Sequence, residues 1–293
     1  MSVLAADSAW QRRRIGRQRT ARMFVAACQV ATLLGLMFLG ILLVDVTRDG
    51  APYLRSELFT NFPSRFPSQA GYASALVGTL YVAGIMSLVA FPLGVLAAVY
   101  LEEYARPSPI TRALELNIAN LAAVPSVLYG LLGLGMFVEW MRMGKSILAG
   151  AFTLALLVLP LVILASREAI RAVPFSVREA AYALGATRWQ VVRHHVLPYA
   201  APGIFTGIIL SLSRAVGETA PLIMLGALQY VPFLPRGIWD YFTVLPIQIF
   251  NYVSLPNPEF HRVAAAGILL LLGVLLFLNG TAIWLRNRAT IRW

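Results

Sequence analysis

Long apolar runs separated by short polar segments dominate the chain. The apolar windows predict six membrane-spanning helices, at residues 23–44, 71–100, 116–138, 146–166, 199–224 and 263–285. Each window is close to or longer than the roughly 20 residues that a helix needs to cross about 30 Å of hydrocarbon. The pattern therefore predicts an all-α integral membrane protein with six transmembrane helices.

The composition agrees with a lipid environment. Hydrophobic residues make up 59% of the 293 residues and charged residues only 13%, whereas soluble domains are about 25% charged. The net charge of +11 does not indicate nucleic-acid binding, because the basic residues lie at the ends of the apolar runs. The single cysteine, Cys28, excludes an intrachain disulfide.

The distribution of arginine and lysine predicts the orientation in the membrane. If the N-terminus is cytoplasmic, the inner segments hold 16 basic residues and the outer segments seven, so the positive-inside rule predicts that both termini are cytoplasmic. The first apolar run is longer than a signal-peptide core and no small-residue cleavage site follows it, so we predict a retained span.

These features predict a domain layout. It comprises a basic cytoplasmic tail (1–22), a first transmembrane helix (23–44), an extracytoplasmic loop (45–70), a permease domain with five further helices (71–285) and a short cytoplasmic tail (286–293).

Residues 176–198, between the fourth and fifth spans, predict two short helices. Ser176 and Glu179 form an S-x-x-E pattern and Thr187 and Gln190 a T-x-x-Q pattern, each typical of a capping box. Gly185 lies between them, where a left-handed turn would end the first helix. The second helix should end near His195, before the next span begins. Such a loop could be an amphipathic hairpin at the lipid headgroups or a docking surface for another protein.

The same loop resembles a known motif. The letters E-A-A, a glycine six residues after the glutamate and a later L-P are similar to the EAA loop of type I ABC importer permeases. The matching residues are Glu179, Ala180, Ala181, Gly185, Leu197 and Pro198. In that family the loop inserts into a cleft of a cytoplasmic ATPase subunit, so the resemblance implies the docking role. One departure is His195, where the family usually has Ile or Val.

Further stretches resemble the A subunit of phosphate permeases (the PstA-like family). They are "YLEEYARP" (100–107), "AVPSVLYGLLGLGMFV" (123–138), "REAAYALGATRW" (178–189) and "LSRAVGETAPLIMLGA" (212–227). The resemblance covers residues 70 to 285 or so and implies a MetI-like permease fold in a prokaryotic cell membrane. It implies import of inorganic phosphate by a non-catalytic subunit, without a cofactor or a metal ion.

The resemblance also implies an assembly. The expected partners are a homologous PstC-like permease subunit, two PstB-like ATPase subunits that hydrolyse ATP, an extracytoplasmic PstS-like phosphate-binding protein and the surrounding lipid. No nucleic acid is expected. The segment "EWMRMGKS" (139–146) ends like a P-loop, but Glu139 stands where that motif needs glycine.

Two charged residues within the fifth apolar run are candidates for the substrate path. A charge within a span costs roughly 2.5–3.5 kcal/mol on insertion scales, so such residues usually have a function. Arg214 and Glu218 share a helix face, and the planar guanidinium of arginine matches phosphate oxygens. Ser213 and Thr219 add hydroxyl groups nearby. Counted from Pro198, Arg214 lies about 24 Å along the span, past the midplane.

Alternatives remain open at this point. Arg214 and Glu218 could neutralise each other and only stabilise helix packing. The chain could be a permease of the same fold for molybdate, sulfate or another small solute, with "SRAVGETAPL" as the discriminating stretch. The chain could also be a secondary transporter or a membrane scaffold with no transport role. A secondary transporter should show two related halves with broken helices and would have no use for an EAA loop.

Overall fold

The protein is built from helices and connecting loops. The fold is described from a computed structural model for residues 2–227 and 230–289, with side chains for 21–227 and 230–288. The helices are α1 (Ser2–Gly50), α2 (Ser56–Thr60), α3 (Ala73–Val99), α4 (Pro109–Ala122), α5 (Ser126–Gly133), α6 (Ile147–Arg171), α7 (Phe175–Ala183), α8 (Arg188–Val191), α9 (Leu197–Gly217), α10 (Ala220–Leu225), α11 (Leu245–Val253) and α12 (Pro258–Ala289). Wider π-helical turns continue α3 over Tyr100–Tyr104, α5 over Leu134–Trp140 and α8 over Val192–Val196. The prediction of an all-α protein is confirmed.

Parts of the predicted layout lie outside the described residues. They are Met1 of the first tail, residues 228–229 of the outer segment 225–262, and residues 290–293 of the last tail.

Most of the predicted spans are single long helices. Within the described residues, five stretches are long and apolar enough to cross a membrane: Ala21–Tyr53, Ala73–Tyr104, Ile147–Arg171, Arg188–Gly217 and Pro258–Arg288. A bent pair, Pro109–Ala122 with Ser126–Trp140, makes a sixth if the two helices are counted as one span. The chain is therefore a multi-pass membrane protein with five to six spans.

The third span differs from the predicted continuous helix over 116–138. The chain bends by 102° between α4 and the α5 unit, so the prediction of one helix is wrong there. Pro125 is the N-cap of α5 and has an extended ψ of 134°. Proline has no N–H to continue the α4 ladder, and it disfavours helical geometry in the residue before it. The apolar run is thus divided at Val124–Pro125, which hydropathy alone cannot detect.

The fifth span also ends earlier than predicted. Helix α9 ends at Gly217, and Glu218 has φ −76° and ψ 124°, outside the helical region. A new helix, α10, then starts at Ala220 with Pro221 in its first turn, where the missing N–H of proline costs nothing. The predicted helix over 199–224 is therefore broken after Gly217.

Small residues bring the central helices together. A Cβ atom placed on Gly203 would lie 2.7 Å from the Cβ of Ala169, and one on Gly207 would overlap the Cβ of Ala165. Because both partners are on α6, the Gly203-x-x-x-Gly207 spacing lets α9 approach α6 closely. Helix α6 also packs against α3, and a Cβ on Gly94 would lie 2.6 Å from Val162 Cγ1.

The first helix packs against the rest only near its end. The apolar window of Ala21–Tyr53 has no residue buried within the chain. The end of α1 packs against α12, and a Cβ on Gly50 would lie 2.7 Å from the backbone of Ala265. The long apolar surface of α1 is therefore left to lipid or to another protein.

The same end of the bundle, beside the first turns of α12, is closed by α11 and aromatic residues. Tyr72 and Tyr252 pack edge to face with ring centroids 5.3 Å apart. The Tyr252 hydroxyl donates to the carbonyl of Gly71 at 3.0 Å. Burial raises the pKa of Tyr252, so this hydroxyl keeps its proton and its hydrogen bond.

Candidate functional site

The loop 176–198 has the two-helix form that the sequence predicts. Helices α7 and α8 meet at Gly185, whose φ is +80°. A side chain there would strain the backbone because glycine alone adopts positive φ without a steric cost. The capping box of α8 is present: the Thr187 N–H donates to Gln190 Oε1 at 2.7 Å, and the Gln190 N–H to Thr187 Oγ1 at 3.4 Å.

The predicted capping box of α7 is wrong. This helix begins at Phe175, its N-cap is Pro174, and no side chain caps it. Ser176 therefore occupies the second helical position, because the helix begins immediately after Pro174 and not after the serine. Glu179 is left exposed on the helix surface, free for a contact outside this chain.

The second short helix does not end near His195. Helix α8 continues through the π-helical turn Val192–Val196 into α9. In the π turn, the Leu197 N–H donates to the Val192 carbonyl, five residues earlier. Pro198 has no N–H to donate, and this wider spacing lets the helix continue past it without a normal α-helical bond. Leu197 and Pro198 are half-buried, and Leu197 packs against the apolar cluster beneath the loop.

The loop exposes large apolar side chains, most of which the sequence analysis did not single out. They are Phe175, Tyr182, Leu184 and Trp189, of which Leu184 is 89% exposed. Ala181 faces inward and is buried, while Ala180 is exposed. Apolar residues grouped on a surface indicate a protein-binding or membrane-binding site. The missed signal was the large apolar residues on both sides of the short motif.

The second candidate region is the end of α9. Arg214 Nε lies 3.3 Å from Glu218 Oε1, with side-chain exposures of 49% and 18%. The two residues therefore pair as their spacing predicts, although Glu218 lies beyond the end of the helix. Glu218 also borders a small cavity of about 10 Å³ together with Thr79 and Leu222. The guanidinium is thus held on one side by a carboxylate and is open on the other.

The contacts of α12 indicate how deep Arg214 lies. Arg286 follows the apolar run 263–285 and marks its polar boundary; its Nη1 lies 3.4 Å from Thr206 Oγ1 on α9. Arg214 is eight residues further along α9, about 12 Å at 1.5 Å per residue. In a hydrocarbon layer about 30 Å thick this is near the midplane, nearer than counting from Pro198 predicts.

The two hydroxyl residues of this region differ in their contacts. The Ser213 hydroxyl lies 2.8 Å from the Ile209 carbonyl and 2.7 Å from Asn279 Oδ1 on α12. Thr219 is half-buried between α9 and α10 and makes no side-chain cap. Asn279 was missed by the sequence analysis, although a lone amide within an apolar run is a visible signal.

We find no metal-ion site in the described part of the chain, since no three His, Cys, Asp or Glu side chains come together there.

A family of known proteins matches this architecture. Residues 90–288 match the family described as binding-protein-dependent transport system inner membrane component. The chain belongs to this family. The matched residues include the loop 176–198 and the Arg214–Glu218 pair, so both candidate regions lie within the family domain.

Several proteins of this family are similar to the chain over most of its length. The phosphate transport system permease protein PstA of Haemophilus influenzae is 32% identical, over 90% of this chain and 92% of that protein. The phosphate transport system permease protein PstA 1 of Mycobacterium tuberculosis is 36% identical, over 96% of this chain and 92% of its own length. A probable PstA of Methanocaldococcus jannaschii is 32% identical over 87% of this chain and 89% of that protein.

Solved structures show the same fold. A chain of a bacterial alginate ABC transporter aligns with a TM-score of 0.67 at 17% identity, over 92% of this chain and 95% of that one. A chain of the MetNI methionine ABC transporter aligns with a TM-score of 0.58 at 18% identity, over 73% and 94% of the two chains. The predicted MetI-like permease fold is confirmed.

Proposed function

We propose that this chain is a membrane-spanning permease subunit of an ATP-driven ABC importer that moves inorganic phosphate into the cytoplasm. The observation that carries the proposal is the set of relatives named phosphate transport system permease proteins, at 32% and 36% identity over 90% and 96% of the chain. The chain itself would be non-catalytic, and ATP would be hydrolysed by a separate ATPase subunit.

The chemistry near the midplane supports phosphate as the solute. A dianion that leaves water needs fixed donors, and arginine offers a planar fork that matches phosphate oxygens. The half-exposed Arg214 has such donors available. Glu218 would keep the site from holding the anion too tightly, while Ser213 and Thr219 would supply hydroxyl groups beside the path.

The assembly would have the composition that the resemblance implies. A homologous PstC-like subunit would complete the channel. Two PstB-like ATPase subunits would bind on the cytoplasmic side, and one of them would dock on the loop 176–198. An extracytoplasmic PstS-like protein would deliver phosphate. The complex would lie in the prokaryotic cell membrane with both termini of this chain in the cytoplasm, and the domain layout from 1–22 to 286–293 stays a proposal.

Uptake by the reconstituted complex tests the function. The complex would be purified with its ATPase subunits, inserted into lipid vesicles and supplied with binding protein and ATP. We expect labelled phosphate to enter only with ATP, and unlabelled phosphate to compete. Competition by sulfate or molybdate instead of phosphate would assign the permease to that oxyanion, and uptake independent of ATP would contradict an ABC importer.

A further inference from the structure

Arg178, the residue before Glu179 in the loop, joins three parts of the protein. Its Nε and Nη2 donate to Glu103 Oε1 at 3.1 and 2.8 Å. The same guanidinium donates from Nη1 to the Val173 carbonyl at 2.8 Å and from Nη2 to the Ile170 carbonyl at 3.0 Å. The side chain therefore links α7 both to the end of the α3 span and to the last turn of α6.

This contact is shielded from water. The side chains of Arg178 and Glu103 are only 14% and 7% exposed. Ile170 belongs to the last turn of α6, where a cation is favourable, and its carbonyl also accepts the Val173 N–H at 3.2 Å. Removing one partner of such a pair leaves a buried charge unpaired. Lysine could keep the charge but could not reach the carboxylate and two carbonyls together, because its donors leave from one nitrogen.

Other arginines contact the same short segment, Tyr100–Tyr104. The Arg188 guanidinium of α8 lies 4.9 Å from the ring centroid of Tyr104. Glu102 Oε1 lies 2.7 Å from Arg167 Nε and 2.9 Å from Arg171 Nη2, and both arginines are on α6. Both helices of the loop and the end of α6 are therefore attached to one π-helical turn at the end of the α3 span. Single π turns are frequent at functional sites.

We propose that the segment Tyr100–Tyr104 is the joint through which movement of the loop 176–198 reaches the spans, and that Glu103 and Arg178 are the positioning residues of this joint. The inference rests on the proposed function, in which an ATPase moves the loop. The exposed side chains of α7 and α8 receive the force, and the buried pair keeps α7 from tilting separately from α3 and α6. The pair stays closed during transport.

The test uses the complete importer with Arg178→Lys and Glu103→Gln. We expect both variants to assemble and to hydrolyse ATP, while phosphate imported per ATP hydrolysed falls about tenfold, within the range of typical coupling free energies. The matched control is Glu168→Gln. Glu168 Oε1 also pairs with an arginine, Arg171 Nη1 at 3.4 Å, but its side chain is 72% exposed and its partner lies on the same helix, α6. This control should keep the normal ratio.

Two results would overturn the inference. One is an unchanged ratio of phosphate to ATP in the assembled variants. The other is loss of the ATPase subunits from both variants during purification, which would assign the pair to assembly. A purely structural pair would lower the yield of complex without changing the ratio.

A second measurement does not depend on the solute. The variant Thr219→Cys, in a Cys28→Ser background, would be labelled with a thiol reagent with and without ATP trapped by vanadate. We expect vanadate to change the labelling rate in the reference complex and to have less than about a tenth of that effect with Arg178→Lys. An equal change in both would overturn the inference. Failure of the proposed function would show separately, as absence of phosphate uptake by the unaltered complex.

Discussion

Arg214 and Glu218 pair at 3.3 Å between Nε and Oε1 across the end of α9. The carboxylate reaches back from an extended residue, so the pair is not simply two side chains on one helix face. Since Glu218 also borders the small cavity lined by Thr79, the pair connects the helix end to the interior of the bundle.

If Arg214 contacts the anion, its charge is essential. We expect Arg214→Gln to abolish phosphate uptake in a complex that still contains its ATPase subunits, because the strongest donor near the midplane is lost. Arg214→Gln combined with Glu218→Gln should not recover uptake. Uptake of labelled phosphate in vesicles measures both. Arg262→Gln, an exposed arginine near the start of α12, is the control. Full rescue by the double variant would make the pair structural.

The corner at Gly185 should be required for docking. Its φ of +80° is a conformation that costs a residue other than glycine about 1–3 kcal/mol, and β-branched residues are the least suited. We expect Gly185→Val to stay in the membrane but to lose ATPase co-purification. The matched control Gly35→Val, on α1, where an added Cβ meets nothing within 4 Å, should retain it. Normal co-purification of the glycine variant would refute the docking role.

The two predicted capping boxes should respond differently to mutation. Thr187→Ala removes an N-cap that is present and should destabilise the start of α8 by about 1 kcal/mol. Ser176→Ala should have almost no effect, because that hydroxyl caps nothing. Hydrogen exchange of the amides of residues 188–191 in the purified complex measures the first effect, and the same measurement on residues 176–180 the second. Equal effects would contradict the observed helix start.

The orientation in the membrane can be read by labelling. Ala180 and Thr60 are both exposed, and the positive-inside rule predicts that they lie on opposite sides. In a Cys28→Ser background, a cysteine at position 180 should react with an impermeant thiol reagent only from the cytoplasm, and one at position 60 only from outside. The reverse pattern would invert the predicted topology.

Features that depend on neighbouring residues or on lipid were predictable from the sequence. The hydrocarbon layer requires long apolar helices, so hydropathy located the spans. The Thr187–Gln190 capping box and the positive φ of Gly185 depend only on nearby backbone, and both are present. The motif residues around Glu179 indicated the family that residues 90–288 match.

Local patterns failed where proline or the bundle decided the outcome. Ser176 has the pattern of a cap, yet the N-cap is Pro174, two residues earlier, and the helix starts at Phe175. The apolar run 116–138 reads as one helix, but Pro125 divides it. Hydropathy averages over such positions, because a missing N–H changes the hydrogen-bond ladder without changing the apolar character of the run.

Contacts between residues far apart in the chain required the tertiary structure. Glu103 and Arg178 are 75 residues apart, and Ser213 meets Asn279 across 66 residues. The depth of Arg214 likewise follows from the contact of Arg286 with Thr206. The sequence shows which charges must find partners within a low-dielectric bundle. Which carboxylate each arginine reaches depends on how α3, α6 and α9 pack against one another, and only the tertiary structure shows that.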